Sequence, residues 1–283
     1  MIPYAVRWGA RRLGTASYRG TCLFSSPISR VTTRISRVTT LGLCCLLLTC
    51  DRNDPNGTTP SEVQLTLQSR YSLDIDEPSG LALNATGTYL WVVGNNPERI
   101  YRISLDGQVQ ERLDFKGEDL EGIACDPSDA TLWVVEEQRR EVLHLDVTGA
   151  VLSRWQLDLE GAPNNGLEGI CLDSSGTVYV LNEKDPSLFI ALDGDLSIEK
   201  KYELDFAEDV SGLDCNGGQG RFWVLSHQSR MLYLWSPEVG VTGAHPLPVD
   251  KAEGVALDPA SSLIYIVSES EDRLYVYSIE FPE

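Results

Sequence analysis

The sequence predicts an all-β fold, a five-bladed β-propeller whose blades are four-stranded antiparallel sheets. Three observations predict it. A short motif of Ser or Glu, then Gly, then two or three apolar residues occurs five times, and its glycines are 42 to 47 residues apart. A second apolar run follows each glycine about ten residues later, and a period of roughly 40 to 50 residues with several short strands is typical of propeller blades. The five glycines are Gly80, Gly122, Gly169, Gly212 and Gly254.

Each repeat supplies four strands in a fixed order. The first strand begins at the motif glycine, and a turn rich in Pro, Gly or Ser leads to the second apolar run. A third apolar run follows. The pairs Asp106-Gly107, Thr148-Gly149 and Asp193-Gly194 then predict tight hairpins into a fourth strand.

The segment before the first motif supplies a strand that the last repeat lacks. Residues 63–68 read Val-Gln-Leu-Thr-Leu-Gln, whereas the fifth repeat contains only three strands. We therefore predict that the N-terminal strand pairs with the last blade and closes the ring, which removes the exposed edges of an open sheet. The propeller is predicted to span residues 63–281 as one domain.

Charge is distributed unevenly along the chain. Residues 1–50 contain seven arginines and no Lys, Asp or Glu, so the remaining residues carry 42 acidic against 16 basic side chains. A body this acidic argues against nucleic acid as a partner. We expect the propeller to be a monomer.

The first 50 residues resemble a targeting segment. An apolar run of about ten residues, 41–50, is too short to span a bilayer but fits the core of a signal peptide. Its end, Leu47-Leu48-Thr49-Cys50, resembles a bacterial lipoprotein box, in which Cys50 would be the site of lipid attachment. An ordinary signal sequence or an uncleaved anchor is the alternative. Residues 51–62 are predicted to be a linker, and the protein to lie at the bacterial cell membrane, facing the periplasm.

Three cysteines lie in the propeller, each on the first strand of a different repeat. An odd number on different blades does not indicate a disulfide framework, and no CxxC pair accompanies them. The sequence predicts that Cys125, Cys171 and Cys215 are small buried packing residues.

Two sets of side chains are expected at one mouth of the central channel. The residue before each motif glycine forms a first ring, and the residue that ends each second strand forms a second ring. Like charges raise one another's pKa and destabilise the fold unless a cation is present, and oxygen donors of this kind favour Ca²⁺. The first ring is Ser79, Glu121, Glu168, Ser211 and Glu253; the second is Asn95, Glu137, Glu183, His227 and Glu269. All six glutamates are candidate metal ligands.

An arrangement without metal explains the same residues. The glutamates would then accept backbone N–H groups from the neighbouring blade, or pair with Arg99, Arg230 and Arg273, which begin third strands near this mouth. His227 is most simply a neutral polar member of its ring, with a role as general base as the alternative.

Four segments carry a resemblance to the SdiA-regulated domain family. They are Asp119-Leu120-Glu121-Gly122-Ile123, residues 166–170 with 182–186, Val210-Ser211-Gly212-Leu213, and residues 252–259. The resemblance implies a five-bladed propeller at the bacterial cell membrane and a bound calcium ion. A more distant similarity to NHL-repeat and SMP-30-like propellers implies metal binding through a Glu before Gly. Glu121, Glu168 and Glu253 match that pattern, whereas Ser79 and Ser211 depart from it.

Two functions follow as hypotheses. The first is a non-catalytic, membrane-tethered, calcium-binding propeller that senses calcium or binds a protein partner outside the cytoplasm. The second is a calcium-dependent hydrolase of a phosphoester or lactone, with Glu137 or His227 as base and Lys184 or Arg139 steering an anion. The sequence contains no nucleophile elbow and no dense basic cluster, which favours the first.

Overall fold

The computed structural model describes residues 63–218 and 220–280, and every regular element in them is a β-strand. Within these residues no helix is long and apolar enough to cross a membrane. The predictions about the leader, Cys50 and the linker lie outside the described residues.

The strands form five four-stranded antiparallel sheets arranged as blades. Four blades use consecutive strands, numbered here in chain order from the innermost outward. Blade 1 contains β2 (Asp76–Leu83), β3 (Leu90–Asn96), β4 (Glu98–Ile103) and β5 (Val109–Arg112). Blade 2 contains β6 (Leu120–Cys125), β7 (Leu132–Glu136), β8 (Glu141–Leu145) and β9 (Val151–Gln156). Blade 3 contains β10 (Leu167–Leu172), β11 (Val178–Asn182), β12 (Leu188–Leu192) and β13 (Ile198–Glu203). Blade 4 contains β14 (Gly212–Asp214), β15 (Phe222–Ser226), β16 (Met231–Ser236) and β17 (Gly240–Pro246).

Blade 5 joins the two ends of the propeller. It contains β18 (Ala252–Asp258), β19 (Leu263–Ser268), β20 (Arg273–Glu280) and, as its outer strand, β1 (Gln64–Ser72). β1 pairs antiparallel with β20, from Gln64 opposite Glu280 to Ser72 opposite Arg273. Val63 and Leu65 also pack against the core between blades 4 and 5. The predicted fold class and the closing strand are confirmed.

The motif glycines set the spacing of the inner strands around the channel. A Cβ atom at Gly122 would lie 2.3 Å from the carbonyl oxygen of Glu168, and one at Gly254 would lie 2.5 Å from that of Ser79. Each contact joins a glycine to the first-ring residue of the neighbouring blade. Because any side chain would collide with that backbone, the repeat needs glycine there. The residue beside each glycine is thereby held at the channel wall.

Apolar side chains fill the spaces between neighbouring blades. The second apolar run of each repeat contributes the largest buried groups, among them Trp91, Trp223 and Tyr265. The two ends of the channel differ. The first-ring residues line the end that we call the mouth, whereas Leu83, Leu172 and Asn216 line the opposite end.

The opposite end also corrects a prediction. Cys171 and Cys215 are not separate packing residues, because they form a disulfide with Cα atoms 5.6 Å apart. They are 44 residues apart in sequence, but the first strands of consecutive blades run side by side around the channel, so equivalent positions become neighbours. Among the described residues Cys125 is the free cysteine.

Candidate metal centre

Irregularities in the inner strands turn the first ring toward the channel. The register of β6 against β7 shifts between Leu120 and Gly122, and that of β18 against β19 shifts between Ala252 and Gly254. Glu121 and Glu253 occupy these shifts, and Ser79 and Glu168 lie in the corresponding shifts of blades 1 and 3. Bulges of this kind redirect side chains. Glu121, Glu168, Ser211 and Glu253 accordingly line the channel.

A repeated backbone contact fixes the second ring beside the first. The N–H of Glu137 donates to the carbonyl oxygen of Asp119 over 2.9 Å, and the N–H of Glu269 donates to that of Lys251 over 3.0 Å. The N–H of Glu183 makes the same contact with Gly166 over 2.8 Å. All three acceptors stand three residues before a motif glycine, so this position is a third contributor to the mouth.

Blades 2 and 3 bring five carboxylates together. One group consists of Asp119, Glu121 and Glu137, and another of Glu137, Glu168 and Glu183. Within each group, the oxygens that could bind a metal lie within 4.8 Å of one another. We call these five residues the acidic cluster. It contains four of the six predicted glutamates, together with Asp119, which was not predicted.

The other two predicted glutamates lie beside cationic side chains. Glu253 Oε1 is 3.4 Å from His227 Nδ1, which is also 2.8 Å from Asp209 Oδ2. Glu269 pairs with Lys251. Blades 4 and 5 therefore supply positive charge to their own carboxylates, and we call these five residues the paired side of the mouth.

A family model covers the whole of the repeat. The SdiA-regulated model matches residues 56–278, which covers most of the chain. The chain belongs to the SdiA-regulated family. This membership confirms the resemblance drawn from the Glu-Gly motifs.

Solved structures of other proteins share this fold. Glutaminyl cyclase from Myxococcus xanthus is 16% identical with a TM-score of 0.62, and the match covers 79% of this chain and all of that one. Virginiamycin B lyase from Staphylococcus aureus is 17% identical with a TM-score of 0.46, covering 76% and 74%. The PQQ-bound aldose sugar dehydrogenase from Streptomyces coelicolor is 13% identical with a TM-score of 0.49, covering 78% and 99%. The first likeness concerns the fold alone, and the two weaker ones carry no argument about this chain.

The acidic cluster resists ionisation. Burial raises the pKa of Glu121 and Glu168 well above the usual value, and neighbouring carboxylates raise it further. Burial also raises the pKa of Glu137 to about 7, with Asp119 and Glu183 adding to the rise. Burial is thus the first cause of these shifts, and repulsion among the carboxylates adds to it.

Two side chains of the cluster have oxygens that need a partner. The Glu168 side chain is only 9% exposed, faces the channel, and makes neither a hydrogen bond nor an ion pair with another residue in the described part of the chain. Asp119 Oδ2 is buried and accepts no hydrogen bond. Buried polar groups are normally satisfied, and a hard cation with carboxylate ligands would satisfy both. The donor set therefore fits a divalent metal ion.

Part of the arrangement without metal is also present. Glu137 Oε1 accepts the backbone N–H of Gly166 in the next blade over 3.0 Å. The three arginines make other contacts, since Arg230 pairs with Asp250 and Arg273 lies near Glu271. Arg99 donates to the carbonyl oxygen of Glu98. Lysines contact the second ring instead, Lys184 at Glu183 and Lys251 at Glu269.

The environment of His227 corrects the expectation of a neutral ring member. Burial lowers its pKa, but the neighbouring carboxylates of Asp209 and Glu253 outweigh burial and raise the pKa to about 10. Burial alone would raise the pKa of Asp209, yet the contact with His227 and the hydrogen bond from Ser226 lower it. At neutral pH His227 is thus a cation.

A third position of the repeat also contributes to the mouth and was not predicted from the sequence. It lies three residues before each motif glycine and is occupied by three acids, a glycine and a lysine: Glu77, Asp119, Gly166, Asp209 and Lys251. Extending the alignment of the repeats by two residues toward the N-terminus would have found it. The contacts of these residues, however, depend on the neighbouring blade, which an alignment of repeats does not describe.

Proposed function

We propose that this β-propeller of the SdiA-regulated family binds Ca²⁺ at the acidic cluster and acts without catalysis, as a calcium sensor or a calcium-dependent platform for a protein partner. The observation that carries the proposal is Glu168. Its buried carboxylate has no partner and is surrounded by Glu121, Glu137 and Glu183. A divalent cation would convert their mutual repulsion into attraction.

The donor atoms favour calcium over a transition metal. The acidic cluster offers carboxylate oxygens, and neither cysteine nor histidine belongs to the two groups. Ca²⁺ accepts such hard donors and tolerates irregular geometry, whereas softer transition metals prefer nitrogen or sulfur ligands. Glu253 and Glu269 are left out of the proposed ligand set because His227 and Lys251 already pair with them.

A location outside the cytoplasm, tethered through Cys50, completes the proposal. The Cys171–Cys215 disulfide supports the location, because disulfides persist in oxidising compartments and are rare in the cytosol. The apolar run that ends at Cys50 supports the tether. In this arrangement the lipid would hold the propeller at the outer side of the cytoplasmic membrane or at another periplasmic surface.

The hydrolase alternative receives less support from the mouth. A His227 with its pKa raised to about 10 does not accept a proton at neutral pH. The residues expected to steer an anion are also engaged, Lys184 with Glu183 and Arg139 with Glu118. These contacts weigh against His227 as the base and against both residues expected to steer an anion.

Calcium-dependent thermal stability tests the proposal. The protein is stripped with chelator and titrated with Ca²⁺ and then Mg²⁺, beside the double variant Glu121→Gln/Glu168→Gln. A ligand at about 100 times its Kd adds roughly 2.7 kcal/mol, which corresponds to about 5 to 10 °C for a domain of this size. We expect a Ca²⁺-selective rise in the parent and none in the double variant.

The control is Glu269→Gln, a glutamate of the same mouth that pairs with Lys251. It should keep the full calcium response. A parent protein whose melting temperature ignores Ca²⁺ would overturn the calcium proposal, as would a response that survives the double substitution.

A further inference from the structure

The acidic cluster is two overlapping groups rather than one. Asp119, Glu121 and Glu137 approach one another within 4.8 Å, and so do Glu137, Glu168 and Glu183. Two oxygens on the same Ca²⁺ lie at most about 4.8 Å apart, because each is roughly 2.4 Å from the ion. Among the described side chains, no single group of this kind contains all five carboxylates. One ion therefore accounts for three of them and leaves a second position beside it.

The net charge of the acidic cluster also indicates two ions. The five carboxylates carry five negative charges when ionised, and Lys184, which contacts Glu183, offsets one of them. With all five ionised, a single divalent ion would leave about two negative charges, which protons or a further cation would have to balance. A second divalent ion would balance them without protonation.

Each group also contains an oxygen that points to a ligand independently of the clustering. In the first group, Asp119 Oδ2 is buried and accepts no hydrogen bond. In the second group, the Glu168 side chain is nine-tenths buried, faces the channel and makes no hydrogen bond or ion pair with another described residue. An ion in the second group alone would leave Asp119 Oδ2 without a partner, and an ion in the first group alone would leave Glu168 without one among the described residues.

We propose that the mouth holds two divalent cations side by side, with Glu137 shared between them. The first ion takes Asp119, Glu121 and Glu137, and the second takes Glu137, Glu168 and Glu183. The N–H of Gly166 donates to Glu137 Oε1 and fixes the shared carboxylate from behind. This proposal rests on the proposed metal binding and adds the number of ions and their division between two groups.

Counting bound ions tests it. The full chain, purified and stripped with chelator, is titrated with Ca²⁺, and the bound ions per protein are measured by equilibrium dialysis with calorimetry in parallel. We expect two Ca²⁺ ions in the parent. Asp119→Asn should retain one ion, held by the second group, and Glu168→Gln should retain one ion, held by the first.

The control variant and the spectroscopy separate this proposal from the simpler one. Glu269→Gln should still bind two ions, because Glu269 belongs to neither group. With Mn²⁺ as the probe, two ions that share a carboxylate should give a spin-coupled electron paramagnetic resonance spectrum in the parent and the spectrum of an isolated ion in Asp119→Asn. Circular dichroism confirms that each variant is folded.

The outcomes distinguish the two proposals. One Ca²⁺ ion in the parent, or two ions retained in both Asp119→Asn and Glu168→Gln, would overturn the shared site but leave the proposed calcium binding intact. No bound ion in the parent would overturn both.

Discussion

The two sides of the mouth are built by the same repeat but treat their charges differently. On the paired side, Asp209 and Glu253 contact His227, and Glu269 contacts Lys251. The acidic cluster gathers five carboxylates with Lys184 as the one cation in direct contact with them among the described residues. The comparison shows that the repeat fixes the position of each side chain at the mouth. Whether a carboxylate there has a cationic partner within the fold depends on the residue types at the neighbouring positions.

The difference also appears in protonation. Burial raises the pKa of Glu253, but His227 limits that rise. Burial and neighbouring carboxylates together raise the pKa of Glu168 well above its usual value. The carboxylates of the paired side have cationic partners within the fold, whereas those of the acidic cluster depend at neutral pH on protons or cations from solution.

The largest expected effect on stability comes from substituting Asp209, which stands three residues before the motif glycine of blade 4. Asp209 is fully buried and accepts hydrogen bonds from Ser226 Oγ over 2.5 Å and from the N–H of Gln228 over 3.1 Å, besides its contact with His227. Asp209→Ala should lower the free energy of unfolding by about 3 to 5 kcal/mol, because it removes the acceptor of the Ser226 hydroxyl and the Gln228 N–H and one of the two carboxylates that pair with His227. Chemical denaturation in chelator measures the loss.

The matched variant is Asp119→Ala, at the same position of blade 2. In chelator it should change the free energy of unfolding by less than about 1 kcal/mol or raise it, because it removes one of several repelling carboxylates. Equal losses in the two variants would contradict the division of the mouth into a paired and an unpaired side.

The second test concerns the boundary between blade 3 and blade 4, where the acidic cluster adjoins the paired side. The disulfide joins Cys171 on β10 to Cys215 just after β14, and β14 is the shortest inner strand. Cys171→Ser/Cys215→Ser should lower the free energy of unfolding by about 3 kcal/mol, mainly because the unfolded chain is no longer cross-linked. Cys125→Ser, which breaks no disulfide, should cost less than about 1 kcal/mol in the same denaturation experiment. A double variant as stable as Cys125→Ser would mean that this boundary holds without its covalent link.

The two sides of the mouth should affect the stability of the protein over different pH ranges. The raised pKa values of Glu121, Glu168 and Glu137, the last about 7, mean that the folded protein binds more protons than the unfolded chain between about pH 4.5 and 7. The stability of the metal-free protein should therefore increase as pH falls through that window, by on the order of 2 kcal/mol. Saturating Ca²⁺ should remove this slope, because bound carboxylates stay ionised.

The paired side should affect stability at higher pH than the acidic cluster. The folded pKa of His227 is raised from 6.5 to about 10, so its contribution is complete below about pH 6.5 and is lost as pH rises toward 10. Thermal melts from pH 5 to 10 should show a smaller lower slope in Glu168→Gln, because Glu121 and Glu137 still titrate there, and no upper slope in His227→Gln. A lower slope that is unchanged in Glu168→Gln would mean that Glu168 does not contribute to it.

The sequence was sufficient for the fold because the repeat is a property of each blade by itself. The period of the repeat predicts the blades, and the apolar pattern of residues 63–68 predicts the closing strand. The sequence was insufficient wherever two blades meet. The Cys171–Cys215 disulfide, the contact of His227 with Glu253, and the grouping of Asp119 with Glu121 and Glu137 depend on which side chains face each other across a seam. Local bulges that redirect Glu121 and Glu253 leave no separate sequence signal beyond the Glu-Gly step itself.

The smallest expected effect concerns the two lysines of the second ring, one on each side. Lys184 contacts Glu183 of the acidic cluster, and Lys251 contacts Glu269 of the paired side. Both lysines are partly exposed, so neither ion pair should contribute more than about 1 kcal/mol to stability. Lys184→Gln removes the cation that competes with a metal for Glu183, and it should tighten Ca²⁺ binding by roughly two- to fivefold, equivalent to about 0.5 to 1 kcal/mol. Lys251→Gln should leave the Ca²⁺ affinity unchanged within about twofold, as measured by calorimetry, because Glu269 lies outside both groups; equal changes in the two variants would show instead that Ca²⁺ responds to the net charge of the whole mouth.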